Sequence, residues 1–356
     1  MGKAVPMNEK NPTGKKRKMR PVLWALVSAL IAGATVWAVT SQWKYFSLAD
    51  LARWLGNADP VFMALAVLCM FGFVFFEGCA LAGACRTLEY PASLASGCSW
   101  AAADIYFSAI TPSASGGQPA CALLMARRGI PPIVATAVLL LTLAMYALSI
   151  LTIGVLCALA WPWVFGIFGP GSRVLIVVGF LAQILLATLF FLMLRSEQLL
   201  EKLLRGTLRL LIRLGLIRRG EEKMEKLTAT MEEYRRCAAL LSGHRGLLLR
   251  SFAFNLLQRA SLIAVTMFTF LAMGGPPRLS GAVFAMESCV VIGSNCVPVP
   301  GAMGVADYLL LDGFEAFLPP DMAVSLELVS RSVSFYCCVL LCGLVALIAS
   351  RKKRKE

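Results

Sequence analysis

The sequence predicts an all-α integral membrane protein, a polytopic helical bundle with two re-entrant, broken-helix hairpins in an inverted-topology repeat. Three observations lead there. Of 356 residues, 58% are hydrophobic and only 15% charged, whereas soluble domains are about a quarter charged. Apolar runs of bilayer-spanning length recur along the chain. Two of the apolar stretches are interrupted by clusters of proline and glycine, "TPSASGGQPA" at 111–120 and "PVPGAMG" at 298–304, where a surface loop would ordinarily be read.

Taken in order, residues 1–20 form a basic segment, and a first span runs from Pro21 to Thr40. A second span covers 60–84, the first broken segment 92–127, and a third span 133–160. The turn "WPW" leads to a fourth span at 174–194, which completes a first membrane half of 21–194. A polar segment, 195–246, separates it from a second half of 247–350. That half holds a span at 247–273, the second broken segment at 281–320, a span at 322–349, and then the basic tail 351–356.

Orientation follows from lysine and arginine, which concentrate on the cytoplasmic side. The N-terminal segment, Arg86, Arg127–Arg128, the 195–250 region and the tail hold 28 of the 34. Both termini and the polar segment are therefore expected in the cytoplasm, in a multi-pass protein of the cell membrane. The net charge of +14 reads as this bias, with an attraction to the anionic inner leaflet, and not as a nucleic-acid footprint. Within 195–246, Arg205, Arg209 and Arg213 recur every four residues opposite leucines, as in a helix lying on a membrane surface. Farther on, Met224, Leu227, Met231 and Tyr234 share a helical face, with Glu222–Lys226 and Glu232–Arg236 as i,i+4 pairs. A solvated helical hairpin bridging the halves accounts for this; a partner surface is the alternative.

The twelve cysteines lie mostly in apolar runs without C-x-x-C spacing, and His244 is the single histidine. They read as small buried hydrophobes. No metal and no cofactor are expected.

Arm lengths decide the reading of the broken segments. "LASGCSWAAADIYFSAI" would reach about 25 Å as a helix and "PACALLMA" about 12 Å, against a hydrocarbon core of about 30 Å. Neither spans. Residues 92–127 leave the cytoplasm and return to it, while 281–320 enter from the opposite side. Span, hairpin, span thus occurs twice with opposite sense, the plan of many secondary transporters. Backbone breaks at that depth are tolerated where protein or a wet cavity covers them. The alternative is that the breaks only let helices pack.

Each break is followed by a helix whose N-terminus favours anions. Thr111, Ser113, Ser115, Gly116, Gly117, Gln118 and Pro119 form one candidate lining; Pro298, Pro300, Gly301 and Gly304 form the other. Pro119 suits a first helical turn, with Ser115–Gln118 offering a cap. Intramembrane charges are costly unless paired or wet, so Glu77, Asp104, Arg259, Glu287, Asp307 and Arg331 join the candidates, with arginines for a lipid phosphate and acids for an ammonium. Asp312 and Glu315 read as residues of the outer interface. No catalytic set is apparent.

The stretches "ITPSASGGQPACALLMARRGIP" and "VPVPGAMGVADYLLLDGF" resemble the lysylphosphatidylglycerol synthase transmembrane family, the flippase-like membrane half of the bacterial multiple peptide resistance factor. The resemblance covers roughly residues 20–350; Asp307 stands where the family often has glutamate. It implies translocation or binding of an aminoacylated, for instance lysyl-, phospholipid, and a link to cationic-peptide resistance. The chain is expected to be the stand-alone form without the synthase domain, and not itself an enzyme, with a separate synthase and homo-oligomers as conceivable partners. Phosphatidylglycerol lysyltransferase and small-solute secondary transporter are the alternatives.

Overall fold

The computed structural model describes residues 56–111, 114–195, 243–297 and 299–351, with Lys202, Gly206, 237–239 and Leu241 between them. These belong to one compact unit, Phe46–Glu356. The expected span at 21–40, the terminal basic segments, most of 195–246, Ser113 and Pro298 lie outside the described residues.

The described chain is helical throughout. Helix α1, Pro60–Thr87, starts where Asp59 accepts from the Val61 and Phe62 N–H groups at 2.8 and 3.4 Å, with Pro60 in its first turn. Both features satisfy or remove donors that a helix start leaves orphaned. α2, Leu94–Ile110, is capped by Ser93, whose hydroxyl accepts from Ser96 N at 3.1 Å. After a break comes α3, Gly117–Arg127. α4, Pro132–Ala160, and α5, Pro170–Arg195, follow, joined through Trp161–Trp163 and the single turn Val164–Ile167.

α6, Arg245–Ala272, opens the second half. α7, Ser280–Ser294, and α8, Val305–Phe314, flank the second break, which contains the short 3-10 turn Pro300–Ala302. The last span combines α9, Pro320–Arg331, a π-helical stretch Ser332–Cys337, and α10, Cys338–Arg351. Five of these segments are long and apolar enough to cross a membrane: Pro60–Thr87, Pro132–Ala160, Pro170–Met193, Arg245–Ala272 and Met322–Ser350.

Burial separates their roles. Of its most apolar stretch, α4 hides 78% inside the protein, while α5 and the last span hide 17% each. α4 is apolar on every side because protein surrounds it; Val174, Val178, Leu181 and Leu185 of α5 are exposed and apolar, as a lipid-facing surface requires. α1 packs along α6, and the Asp59 N–H donates to Ala272 O at 2.8 Å. The start of α1 therefore lies beside the end of α6, and the two run antiparallel. α2 approaches α1 at Gly78 and Gly97, where a Cβ on Gly78 would come 2.7 Å from Cys98 N. Small residues let helices close in where no hydrophobic force between them is available.

The arms fall where the sequence places them. α2 begins and ends with the quoted 17-residue stretch. α3 starts two residues before Pro119, so the proline sits inside the first turn, with Gly116 at the cap position and no side chain bonding there. Both breaks use left-handed backbone: Ala114 has φ 53°, Gly301 60°, Ala302 53° and Gly304 79°. The π-helical stretch has no counterpart in the sequence reading.

Candidate functional site

Asp104 stands three-fifths of the way along α2, one turn before Ser108, whose hydroxyl donates to it at 3.3 Å. From the first turn of α3, Gln118 Nε2 donates to the other carboxylate oxygen at 2.8 Å. The hairpin is thus stitched across its own break. Gly117 is part of the same stitch: a Cβ there would run into the Asp104 carboxylate and the Ser108 hydroxyl. Thr111 closes the break itself, donating to Phe107 O at 2.6 Å and accepting from Gly116 N at 2.8 Å. Ser115 and Pro119 are exposed.

Glu77 of α1 is buried and lies beside the Asp104 carboxyl. It also accepts from Gln258 Nε2 of α6. The oxygen of the same amide accepts from Arg259 Nε at 3.3 Å, so Gln258 links acid to base. Arg259 is 8% exposed, and its guanidinium lies over the rings of Phe73 and Tyr146 at 4.8 and 4.4 Å. Such contacts favour a desolvated cation by about 2 kcal/mol. Arg259 forms no ion pair with the described carboxylates, and its terminal amino groups have no described hydrogen-bond partner.

The second set surrounds α8. Asp307, in its first turn, accepts from Gly304 N at 2.8 Å through one oxygen and pairs with Arg331 Nε at 2.7 Å through the other. Arg331 lies over the Phe335 ring at 4.9 Å. Glu327, one turn before Arg331 on α9, is buried and faces Asp307. Glu287 of α7 is buried near Arg331 and Thr266, and its Oε2 has no hydrogen-bond partner. Thr266 of α6 bonds Ser330 at 2.7 Å.

The candidate charges therefore form two mixed-sign sets, Glu77–Asp104–Arg259 and Glu287–Asp307–Arg331 with Glu327. α6 serves both: Arg259 and Thr266 are seven residues apart, about two turns or 10 Å along the same face. The breaks also adjoin. A Cβ on Gly301 would lie 3.5 Å from Ala109 O, near the end of α2, and would strike the Phe335 ring. Pro300 and Gly301 are half-buried and Gly304 is exposed. Outside both sets, Asp312 accepts from Gly169 N at 2.9 Å and Glu315 is exposed.

Sequence reasoning passed over Gln258, Tyr146, Phe73, Glu327 and Phe335. For Glu327 a signal existed, the i,i+4 spacing to Arg331. The amide and the rings carry none, because they are ordinary occupants of a span.

No curated protein matches the chain. A family described as "Lysylphosphatidylglycerol synthase TM region" matches residues 23–342, which takes in both broken hairpins, both charged sets and all five described spans nearly to the end of the last. With its fold of paired membrane helices and interrupted hairpins, the chain belongs to the lysylphosphatidylglycerol synthase transmembrane family.

Proposed function

We propose that the chain is a flippase-like protein of the cytoplasmic membrane, which takes a phospholipid headgroup between its two hairpins and moves it between leaflets. An aminoacylated, lysyl-bearing phospholipid fits best. The observation that carries this reading is the gathering, in one membrane bundle, of two charged sets of mixed sign, each built on a broken hairpin, with Glu77, Arg259, Glu287, Asp307 and Glu327 buried and Asp104 and Arg331 half-buried. A headgroup with phosphate and ammonium offers the same charges that these side chains now offer each other.

The hairpin arms of 17, 11, 15 and 10 residues are each shorter than the roughly 20 residues that a span needs. That supports re-entrant hairpins with their breaks within the membrane, and the antiparallel run of α1 and α6 supports the inverted repeat. The start of α3, without a side-chain cap, offers backbone N–H groups to a phosphate, with Arg259 beside Asp104 as the neighbouring cation. Thr111, Ser113, Ser115, Gly116, Gln118 and Pro119 would line this approach; Pro298, Pro300, Gly301 and Gly304 would line the opposite one. Glu77, Asp104, Glu287 and Asp307 would receive the ammonium groups.

The positive-inside bias supports cytoplasmic termini and a cytoplasmic 195–246 segment, which the anionic inner leaflet would attract. A separate synthase would supply the aminoacylated lipid. Its outward movement would lower the negative charge of the outer surface, and this is the link to cationic-peptide resistance. The test is leaflet-resolved labelling of lysylphosphatidylglycerol and phosphatidylglycerol in vesicles with and without the protein, beside total lipid analysis of cells with and without the gene. A flippase changes the sidedness of lipids and leaves their identity alone. A change in which lipids exist would establish the lysyltransferase reading instead. Uptake of a water-soluble substrate with no lipid movement would establish the solute transporter.

A further inference from the structure

Glu77 of α1 and Asp104 of α2 bring two carboxyls to one guanidinium, Arg259: Gln258 joins Glu77 to Arg259, and Asp104 lies beside both. Two carboxylates beside one guanidinium would leave the set with a net negative charge, which is costly inside a membrane, so one of the two carries a proton. Their remaining partners, the amides of Gln258 and Gln118 and the Ser108 hydroxyl, are neutral donors. Around the pair, the other titratable groups are the thiols of Cys121 on α3, Cys338 and Cys342 on α10, and Arg259 on α6. Beyond Arg259 lies the Tyr146 hydroxyl of α4. Arg259 is thus the only cation among the described residues facing the pair. With one shared proton the set is neutral: one carboxylate, one guanidinium.

We infer that the Glu77–Asp104 pair is a proton site, and that a cationic phospholipid entering the first hairpin displaces that proton, so that the chain exchanges protons for lipid. This rests on the lipid-moving function proposed above and assigns its energy source. The second observation is Arg259 itself. It is nine-tenths buried, yet its amino groups have no described protein partner, which leaves them free for an anion such as a phosphate.

The charge balance then fixes the exchange. A lysyl-bearing phosphatidylglycerol brings one phosphate charge and two ammoniums. Its phosphate takes Arg259, and its ammoniums take the two carboxylates. The loaded set is neutral only when the shared proton has left the carboxyl oxygen for water. Net charge is disfavoured in this environment, so lipid entry and proton exit are coupled. On the far side the lipid departs, and a proton from water restores the pair. Phosphatidylglycerol has no ammonium and displaces nothing. One positive charge crosses in each direction, so the cycle is electroneutral. A proton gradient directed inward therefore drives the cationic lipid outward, by about tenfold in leaflet ratio for each pH unit. Membrane potential has no effect.

Two measurements test this. The full chain in weakly buffered detergent micelles is mixed with lysylphosphatidylglycerol or phosphatidylglycerol, with bound lipid and released protons counted together. One proton per bound lysyl lipid and none per phosphatidylglycerol is expected; Glu77→Gln and Asp104→Asn should bind without release. In vesicles holding the wild-type chain, a pH step of one unit should shift the lysyl-lipid ratio about tenfold, and a potassium–valinomycin potential should leave it unchanged. Binding and flipping without proton release or pH response would overturn the exchange and leave the lipid function standing. Failure to bind or flip either lipid would overturn both. A response to potential with no response to pH would replace exchange by uniport of the cationic lipid.

Discussion

The two hairpins share a plan and differ in what occupies their breaks. In the second, Asp307 closes the start of its own helix and holds Arg331 at 2.7 Å. In the first, the start of α3 has no side-chain cap, and Arg259 rests between aromatic rings without a carboxylate in ion-pair contact. One cation is paired with a carboxylate, although its Nη2 is buried without a hydrogen-bond partner; the other has no carboxylate in ion-pair contact. Residue type alone does not separate a structural pair from a receptive group; the distance to the nearest carboxylate does. A close buried pair that loses one partner leaves an uncompensated charge, whereas the Glu77–Asp104 pair can take up a second proton when Arg259 is lost, so that mainly the ring contacts are given up.

The largest effect should come from Arg331→Met. It strands Asp307 beside Glu327 and Glu287 and should lower stability in detergent by about 3–5 kcal/mol. Adding Asp307→Asn should recover part of the loss. Unfolding midpoints of the two variants check this, and an Arg331→Met protein as stable as wild type would remove the contrast between the hairpins.

Gly117→Ala should come next, at about 1–3 kcal/mol, because its Cβ meets the Asp104 carboxylate and the Ser108 hydroxyl. Gly304→Ala has open space around it but a φ of 79°, so strain of about 1 kcal/mol is all that it should add. If Gly304→Ala proves the more damaging, the tight closure assigned to the first hairpin is wrong.

Arg259→Met should reduce stability by about 2 kcal/mol at most, less than Arg331→Met, while its effect on lipid phosphate should be larger than its effect on folding. Binding of phosphatidylglycerol measured beside the unfolding midpoint separates the two. The smallest change is Thr111→Val, which leaves Gly116 N without its acceptor and should give up about 1 kcal/mol. Faster hydrogen exchange at Gly116 would report it.

The sequence shows why some of this is legible in advance. Arm boundaries at Leu94, Ile110 and Val305 are readable because serine, glycine and proline punctuate helices through local backbone chemistry. Asp104, Arg259, Glu287, Asp307 and Arg331 are noticed because a charge within an apolar run is expensive anywhere. What joins them is not local. Gln258 reaches Glu77 across 181 positions, and no spacing rule predicts an amide linking two helices that far apart in the chain. Tyr146 and Phe73 look like any aromatic in a span until a guanidinium lies on them. The start of α3 also depends on tertiary closure: Pro119 could have opened the helix, but the contact of Gly117 with α2 starts it two residues sooner.

The π-helical stretch Ser332–Cys337 directly follows Arg331 and carries Phe335. A wide turn of this kind holds a surplus residue, and passing that residue along the helix rotates the downstream side chains by about 100°. The Phe335 ring sits where a Cβ on Gly301 would be, so such a rotation swings it away from the second break while Arg331, upstream, keeps its grip on Asp307. Were the surplus residue passed along, the last span would work as a gear: winding slack taken up in its middle would become clearance at the hairpin, with no change in the length of the span.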